Sequence, residues 1–253
     1  MKVTVERQEP VFTVVLNRPE VRNAVDRETA DLLHEAFLEF DGDDRMRVGV
    51  LFGEGGHFCA GADLKAIAAG NPNRLDPEGP APMGPTRLFL SKPVIAAVAG
   101  HAVAGGLELA CWCDLRIAEE NAVFGVFCRR WGVPLMDGGT VRLARLIGAS
   151  HALDMILTGR PVSASEAHRM GLANEVVKSG QSKIRAQEKA LFISHFPQAC
   201  LAHDRTSLYE GLGLKIQDAM TNEFRHGLET IQTGEIVHGV SRFKNGKGRH
   251  GQF

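Results

Sequence analysis

Two segments rich in small residues are the parts of this sequence best suited to chemistry. They are residues 57–65 and residues 91–114. Each places Ala and Gly residues after a predicted strand and before a predicted helix, where main-chain N–H groups have no helical partner and lie at the positive end of the helix dipole. Small side chains let a substrate approach this backbone closely. Two such N–H groups facing each other would form an oxyanion hole, which stabilises negative charge on a carbonyl oxygen.

Glu108 is the candidate acid–base residue. It follows Gly105 by three residues, so on a helix its carboxyl lies on the same face as the Gly105 N–H group. A carboxylate beside an oxyanion hole can transfer a proton next to the developing charge. Spacing alone leaves two other interpretations open: Glu108 as a partly buried member of a salt bridge, and the small-residue segments as tightly packed turns.

The composition is that of a globular chain. Hydrophobic residues make up 44% and charged residues 23% of the 253 residues, close to the globular average, which excludes a disordered chain. The net charge of −1 provides no basic field for a phosphate backbone, so we expect no nucleic-acid partner. Five irregularly spaced cysteines favour reduced thiols in a cytoplasmic protein.

Several signatures of other protein classes are absent or fail. The sequence has no P-loop and no Gly-x-Ser-x-Gly elbow, and its Gly-x-Gly-x-x-Gly match at residues 246–251 has no room for a following helix. The most apolar stretch, residues 94–112, is interrupted by His101 and Glu108, which predicts buried core and no membrane span. No ligand cluster suggests a metal.

Near residue 138 the hydrophobic pattern changes from alternating strands and helices to helices alone. We predict strands at 3–6, 11–16, 48–52, 94–99, 115–118 and 123–124, and helices at 26–40, 63–69 and 107–112. The predicted later helices are 139–146, 149–157, 165–170, 182–196, 199–231 and 235–243. Strand–helix alternation implies parallel strands with βαβ crossovers. Residues 70–85 hold five of the eleven prolines and form a long loop that we expect to border the binding site.

These residues resemble the enoyl-CoA hydratase/isomerase (crotonase) superfamily. The most specific match is residues 92–118. The other matching segments are Asn17-Arg18-Pro19, Asn23-Ala24, residues 58–65, Gly138-Gly139-Thr140, residues 157–160, Glu166-Ala167 and Gly171-Leu172. The resemblance therefore covers most of the chain.

The resemblance implies an α/β fold, a crotonase-like spiral of ββα units over residues 1–195. Residues 196–253 would be a C-terminal helical region of the same domain that mediates trimerisation, giving a homotrimer or a dimer of trimers. The implied substrate is an acyl-CoA thioester. Coenzyme A is then part of the substrate, and the family chemistry requires no further cofactor and no metal.

The resemblance also assigns site residues. The oxyanion-hole N–H groups come from Ala62 and Gly105, and Glu108 is the acid–base residue. The positions that match substrate contacts in the family are Arg22, Ala24, Ala60, Asp63, Leu64, Lys65, Gly106, Cys128 and Met136. Basic residues that are candidates for the CoA phosphates are Arg87, Lys92, Lys244 and Lys247.

One position departs from the family pattern. Family hydratases use a second glutamate, and the register places Cys128 there. A thiol is a weak hydrogen-bond donor with an ordinary pKa of about 8.5, although Arg129 or Arg130 would lower that pKa if close. The ordinary interpretation is that Cys128 merely fills a small site. Asp137 is a second acid that partly substitutes for the missing glutamate, or else it is the N-cap of the following helix.

The sequence is compatible with three functions. The leading hypothesis is hydration of a 2-enoyl-CoA to a 3-hydroxyacyl-CoA. A single carboxylate suffices to move one proton between carbons, so enoyl-CoA isomerisation is the second hypothesis. The third is an acyl-CoA-binding homologue with little turnover.

Overall fold

The computed structural model describes residues 1–246. The chain forms two compact units, Met1–Leu191 and a second unit that begins at Phe192. All strands belong to the first unit, whereas the described part of the second is helical. No helix within residues 1–246 combines the length and the apolar character needed to cross a membrane.

A six-stranded sheet forms one layer of the first unit. Its strands, in sheet order, are β1 (Val3–Gln8), β2 (Val11–Leu16), β3 (Val48–Gly53), β4 (Val94–Val98), β6 (Leu115–Glu119) and β9 (Glu175–Val177). Strands β1 and β2 pair antiparallel, and the other strand pairs are parallel. Strands β2 and β4 are buried along their whole length, as continuous apolar runs in parallel sheets are.

A second, three-stranded sheet contains β5 (His101–Val103), β7 (Val123–Gly125) and β8 (Val162–Ser163). Strand β5 follows β4 after a corner at Gly100, whose φ of +47° lies in the left-handed region. Helix α3 (Gly105–Trp112) follows β5 directly. Strands β4 and β5 therefore lie in different sheets, and a helix follows them. This is the ββα repeat expected of the spiral, and the fold prediction is confirmed.

Eight further helices complete the described chain. In the first unit they are α1 (Arg27–Gly42), α2 (Leu64–Ala68), α4 (Gly139–Thr158) and α5 (Ala164–Arg169), and α6 (Ser182–Ser194) runs from the first unit into the second. The second unit then contains α7 (Gln198–Gly211), α8 (Ile216–Gln232) and α9 (Glu235–Lys244). Asp26 is the N-cap of α1, because its carboxylate accepts a hydrogen bond from the Thr29 N–H group at 2.9 Å.

The structure corrects several predicted elements. The single helix predicted over 199–231 is wrong, since α7 ends at Gly211 and α8 begins at Ile216. Gly211 and Gly213 lower the helix propensity of that connection. The short strands β5, β8 and β9 were not predicted. The predicted interruption between 146 and 149 is confirmed by the non-helical Gly148 inside α4.

Helix α3 lies inside the core of the first unit. Residues 106–112 are all buried, and the Trp112 ring packs edge-on against Phe37 with the ring centroids 4.8 Å apart. Aromatic pairs of this geometry add to the stabilisation that burial provides. The surrounding core therefore fixes the axis and rotation of α3, and with them the position of Glu108.

Candidate active site

The predicted catalytic residues line one cavity of the first unit. The cavity has a volume of about 580 Å³, and Ala62, Gly105, Glu108 and Asp137 all border it. Apolar side chains form much of its wall, among them Ile67, Leu75, Met83, Val103, Phe127, Trp131, Val133 and Pro134. A mostly apolar cavity with a few convergent polar groups is the usual form of a small-molecule site.

The two small-residue turns pack backbone against backbone. The Cys59 N–H group donates to the His101 carbonyl at 2.8 Å, and the Val103 N–H group donates to the Cys59 carbonyl at 3.1 Å. A Cβ atom added to Gly61 would lie 2.9 Å from the Gly105 nitrogen, so only glycine allows this approach. The turn that carries Ala62 thus abuts the first residue of α3.

The local hydrogen bonds orient the two N–H groups of the expected oxyanion hole. Val25 donates to the Gly61 carbonyl at 2.8 Å and accepts from the Asp63 N–H group at 3.0 Å. In such a parallel bridge the intervening residue, Ala62, directs its N–H group to the opposite side. Gly105 is the first residue of α3, where an N–H group has no helical acceptor. Both residues border the cavity, as an oxyanion hole requires.

Ala104 marks the start of α3 with a strained backbone. Its φ of 54° and ψ of −127° are unfavourable for a residue with a Cβ atom. Its N–H group donates to the Gly125 carbonyl at 2.9 Å, which ties this turn to β7. Such outliers persist where surrounding structure holds them, most often at functional sites.

The Glu108 carboxyl is buried and held by the main chain. Glu108 is 2% exposed. Its Oε1 atom accepts hydrogen bonds of 2.8 Å from the N–H groups of Asp137 and Gly139. Gly139 is the first residue of α4, so Glu108 also lies at the positive end of that helix dipole. The salt-bridge interpretation of Glu108 is therefore wrong, because main-chain N–H groups are its partners.

Burial raises the pKa of Glu108 to about 7, and the nearby negative charge of Asp137 adds to the increase. The main-chain hydrogen bonds act in the opposite direction because they stabilise the carboxylate. A carboxyl that titrates near neutral pH can both accept and return a proton under physiological conditions. The geometry thus fits a general acid–base residue beside an anion-stabilising pair of N–H groups.

Asp137 connects the loop at residues 70–85 to the start of α4. Its Oδ1 atom accepts hydrogen bonds from the Met83 N–H group at 2.9 Å and from the Thr86 hydroxyl at 2.5 Å. The N-cap interpretation is wrong, since the cap residue of α4 is Gly138. Burial raises the pKa of Asp137 despite its hydrogen bonds, and this buried acid is the Coulombic neighbour of Glu108.

Cys128 borders the cavity from a short 3₁₀ helix, Phe127–Trp131. Burial raises the pKa of its thiol, and the Glu108 carboxylate adds to the increase. Arg129 lowers the pKa of this thiol through its charge and its main-chain N–H group, as expected, but burial outweighs that effect. Arg129 donates to the Ile156 carbonyl at 3.1 Å, and Arg130 donates to the Gly159 carbonyl at 2.8 Å. The thiol is therefore neutral at neutral pH and cannot replace a carboxylate as a base.

The residues expected to contact substrate fall into two groups. Those that border the cavity are Arg22, Ala60, Leu64, Cys128 and Met136. Within residues 1–246, the residues that line the cavity do not include Ala24, Asp63, Lys65 or Gly106.

Three of the residues outside the lining have structural partners that explain their positions. The Ala24 carbonyl accepts from Arg18 at 2.5 Å, and the Asp63 carboxylate forms an ion pair with the same guanidinium at 3.0 Å. Asp63 also caps α2. Gly106 lies directly under Cys59, because an added Cβ atom would be 2.1 Å from the Cys59 carbonyl oxygen. These contacts are structural and lie outside the described lining of the cavity.

Two of the four candidate phosphate-binding cations donate hydrogen bonds to main-chain carbonyls of the first unit. Lys92 donates to the carbonyls of Phe40 and Asp43. Arg87 donates to three carbonyls of the loop at residues 76–79. Lys244 belongs to α9 of the second unit, and Lys247 lies outside the described residues. The cations in the described lining of the cavity are Arg22 and Arg130.

Sequence reasoning missed part of the cavity. It did not identify His101, Asn73, Phe127, Arg130 or Trp131 as lining residues. The Arg130 guanidinium stacks on the Phe127 ring at 4.0 Å from its centroid. The sequence signals for these residues were regional: Asn73 lies in the proline-rich loop at residues 70–85, His101 lies in the second small-residue segment, and the other three are neighbours of Cys128. Within residues 1–246 no three His, Cys, Asp or Glu side chains are grouped as metal ligands would be.

Comparison with known proteins identifies the family. The family model for enoyl-CoA hydratase/isomerase matches residues 6–250. The enoyl-CoA hydratase EchA19 of Mycobacterium tuberculosis is 41% identical over 75% of this chain and 73% of its own length. A carnitinyl-CoA dehydratase of Salmonella agona is 41% identical over 73% of this chain and 71% of its own length. The chain therefore belongs to the enoyl-CoA hydratase/isomerase family, and it is an enzyme of that family.

Solved structures agree with this assignment. The enoyl-CoA hydratase EchA1 of Mycobacterium marinum has a TM-score of 0.91 and 30% identity, covering 97% of this chain and 96% of that one. An enoyl-CoA hydratase from Mycobacterium tuberculosis has a TM-score of 0.92 at 30% identity, with the same coverage. The crotonase fold predicted from the sequence is confirmed.

Proposed function

We propose that this enzyme adds water to a 2-enoyl-CoA thioester and forms a 3-hydroxyacyl-CoA. The observation that carries the proposal is the buried Glu108 carboxyl in the same cavity as the N–H groups of Ala62 and Gly105. The names of the relatives add support, since one is an enoyl-CoA hydratase and another a carnitinyl-CoA dehydratase. Both names describe the addition or removal of water.

In the first step the Ala62 and Gly105 N–H groups donate hydrogen bonds to the thioester oxygen. They draw electrons from the conjugated double bond, so that C3 becomes electrophilic. A water oxygen bonds to C3 while Glu108 takes one of the water protons. Because main-chain N–H groups hold Oε1 of Glu108, Oε2 is the atom that receives this proton. The electron pair of the double bond becomes an enolate whose charge rests on the thioester oxygen.

In the second step Glu108 returns the proton to C2, and the enolate electron pair forms the new C–H bond. The net change is the addition of H and OH, and Glu108 is again a carboxylate. A pKa of about 7 suits both directions of this transfer, because neither form of the acid is strongly favoured near neutral pH. One carboxylate therefore serves both steps. Asp137 positions the loop and tunes Glu108 through its charge.

A specific observation favours double-bond isomerisation as the second candidate. Cys128 stands where family hydratases carry another glutamate, and burial raises the pKa of its thiol. Isomerisation moves a single proton from C2 of a 3-enoyl-CoA to C4. One acid–base group that reaches both carbons is enough for this reaction. The same oxyanion hole would stabilise the dienolate between the two proton transfers.

The deciding experiment is a panel of 2-enoyl- and 3-enoyl-CoA thioesters of short, medium and long chain, with the products identified by mass spectrometry in ordinary and deuterated water. Hydration adds the mass of water to a 2-enoyl-CoA, whereas isomerisation only relocates the double bond. Glu108→Gln removes the titrating group and retains the side-chain shape. Equal rates for this variant and the wild type would remove Glu108 from the mechanism. Binding without turnover of any thioester would favour a binding protein.

We also propose a homotrimer or a dimer of trimers, assembled through the C-terminal helices. Helices α8 and α9 expose large apolar side chains, including Met220, Phe224, Ile231, Val237 and Phe243, and exposed apolar patches of this kind mark interaction surfaces. Light scattering should give three or six times the chain mass of 27.4 kDa. A cytoplasmic location and a reaction that needs no cofactor beyond the CoA of its substrate stay predictions.

A further inference from the structure

Two histidines that the proposed mechanism does not use meet at the cavity. His101 borders the cavity, and its Nδ1 atom lies 3.2 Å from Nδ1 of His57. The main-chain N–H group of His101 also donates to His57 Nδ1 at 3.3 Å. The contact is built into the backbone, because a Cβ atom on Gly100 would lie 2.4 Å from His57 Nδ1 and 2.3 Å from the Gly56 carbonyl oxygen.

These hydrogen bonds assign the tautomers of both rings. His57 Nδ1 accepts from a main-chain N–H group, so its proton is on Nε2. Two unprotonated nitrogens would repel at 3.2 Å, and therefore His101 Nδ1 carries a proton and donates to His57. His101 Nε2 is then a bare hydrogen-bond acceptor. Burial lowers the pKa of both rings and the Arg22 charge lowers it further, which favours the neutral forms.

The surroundings of His101 indicate what it binds. Hydrogen bonds connect the Cys59 N–H group to the His101 carbonyl and the Ala60 N–H group to the Arg22 carbonyl. His101, Ala60 and Arg22 all border the cavity, so His101 lies beside two positions expected to contact coenzyme A. Coenzyme A carries N–H donors, namely the amides of its pantetheine arm and the amino group of adenine. The hydrocarbon of an enoyl group carries none.

We propose that His101 binds the coenzyme A portion of the substrate by accepting a hydrogen bond at Nε2 from one of these N–H groups. His57 is a positioning residue, because it fixes the tautomer that leaves Nε2 free to accept. This inference rests on the proposed acyl-CoA function and adds to it a polar contact on the CoA side of the cavity, separate from Glu108 and the oxyanion hole.

Calorimetric titration of the whole protein with coenzyme A and with pantetheine tests the contact. His101→Leu should weaken coenzyme A binding about three- to tenfold, the size expected for one hydrogen bond, and His101→Gln should recover part of the loss. The exposed His151→Leu is the matched control and should bind as the wild type does. An equal loss for pantetheine identifies an amide as the donor, whereas a loss for coenzyme A alone identifies adenine. Unchanged coenzyme A affinity in His101→Leu overturns the proposal.

Nitrogen NMR of the histidine-labelled wild type gives a second readout that needs no variant to fold perfectly. His57→Gln and His101→Gln serve only to assign the signals. At neutral pH, His101 should be protonated at Nδ1 alone, and its Nε2 resonance should shift when coenzyme A is added. A proton on Nε2, or no shift, overturns the proposal. A protein that binds coenzyme A through His101 but hydrates no enoyl-CoA would retain this inference and lose the proposed reaction.

Discussion

The Oε1 atom of Glu108 accepts a 2.8 Å hydrogen bond from the main-chain N–H group of Asp137, and the carboxyl of the same Asp137 repels it. The N–H group stabilises the ionised form of Glu108, whereas burial and the Asp137 charge destabilise it. The result is a pKa of about 7. Asp137 thus both holds the Glu108 carboxyl in place and tunes its proton affinity.

The rate should therefore depend on pH through Glu108. Below about pH 7 the protonated carboxyl cannot take a proton from water, so kcat/KM for hydration should fall about tenfold per pH unit on the acid side. Asp137→Asn keeps an acceptor for Met83 and Thr86 but removes the negative charge, so the acid limb should move to lower pH. Profiles recorded from about pH 5 to about pH 9 test this. A rate that stays flat across this range would show that Glu108 is not the titrating base.

The size of the Asp137→Asn effect separates two roles for Asp137. If Glu108 alone carries the proton, this variant should retain hydration within about tenfold of the wild type, while Glu108→Gln should lose about 10² or more. If Asp137 supplies the proton to C2, both variants should lose activity to a similar extent. Steady-state kinetics with one 2-enoyl-CoA substrate distinguish these outcomes.

The raised pKa of Glu108 also predicts a stability effect with a definite sign. The folded state binds this proton up to about pH 7, whereas the ordinary pKa is 4.5, so stability falls as pH rises between these values. Glu108→Gln cannot ionise and avoids this loss. We therefore compare the free energy of unfolding of this variant with that of the wild type. The difference in favour of the variant should be larger at about pH 8 than at about pH 5, by up to about 3 kcal/mol. Urea unfolding at both pH values measures the difference.

A control for this stability prediction is the exposed Glu20→Gln, measured against the wild type at the same two pH values. If Glu108→Gln behaved in the same way as this control, the carboxyl of Glu108 would not carry a raised pKa in the folded protein. Loss of activity combined with a gain of stability at alkaline pH is the expected signature of a functional acid in an apolar site.

Gly61→Ala tests the contact between the two turns. An added Cβ atom would lie 2.9 Å from both Gly105 N and Ala104 Cβ, so the turns must separate and the N–H groups of Ala62 and Gly105 lose their alignment. We expect kcat to fall about 10²-fold or more, the usual effect of losing an oxyanion-hole donor. Gly70→Ala is the matched control, because its φ is also positive but no atom lies within 4 Å of the added Cβ. Equal losses in both variants would assign the effect to backbone strain alone.

The parts of the fold that could be predicted from the sequence are those set by local signals. Continuous apolar runs located β2 and β4, and the helix predicted at 26–40 overlaps α1 along most of its length. The matching residues of the family motif located Ala62 and Gly105, since glycine and alanine are required where two backbones approach. The short strands β5, β8 and β9 gave no comparable pattern, because each is held by a distant partner strand.

The electrostatics of the site could not be predicted because long-range contacts determine them. The N–H donors to Glu108 come from positions 29 and 31 residues later in the chain, and His57 meets His101 across 44 residues. Asp137 has the sequence context of a helix cap, yet tertiary packing directs its carboxylate to Met83 and Thr86. Spacing rules describe neighbours on one element and carry no information about such contacts.

Cys128→Glu restores the second carboxyl that family hydratases carry and tests whether its absence limits the rate. The native thiol is neutral near pH 7, because burial raises its pKa, so it cannot act as the base and is a weaker acid than an ordinary thiol. A glutamic acid at this edge of the cavity would share the proton transfers with Glu108, and we expect hydration to become faster by about 10²-fold. Cys128→Ala, the control, should change the rate little. If Cys128→Ala instead lost as much activity as Glu108→Gln, the thiol would take part in the chemistry, and the mechanism with a single carboxylate would be wrong.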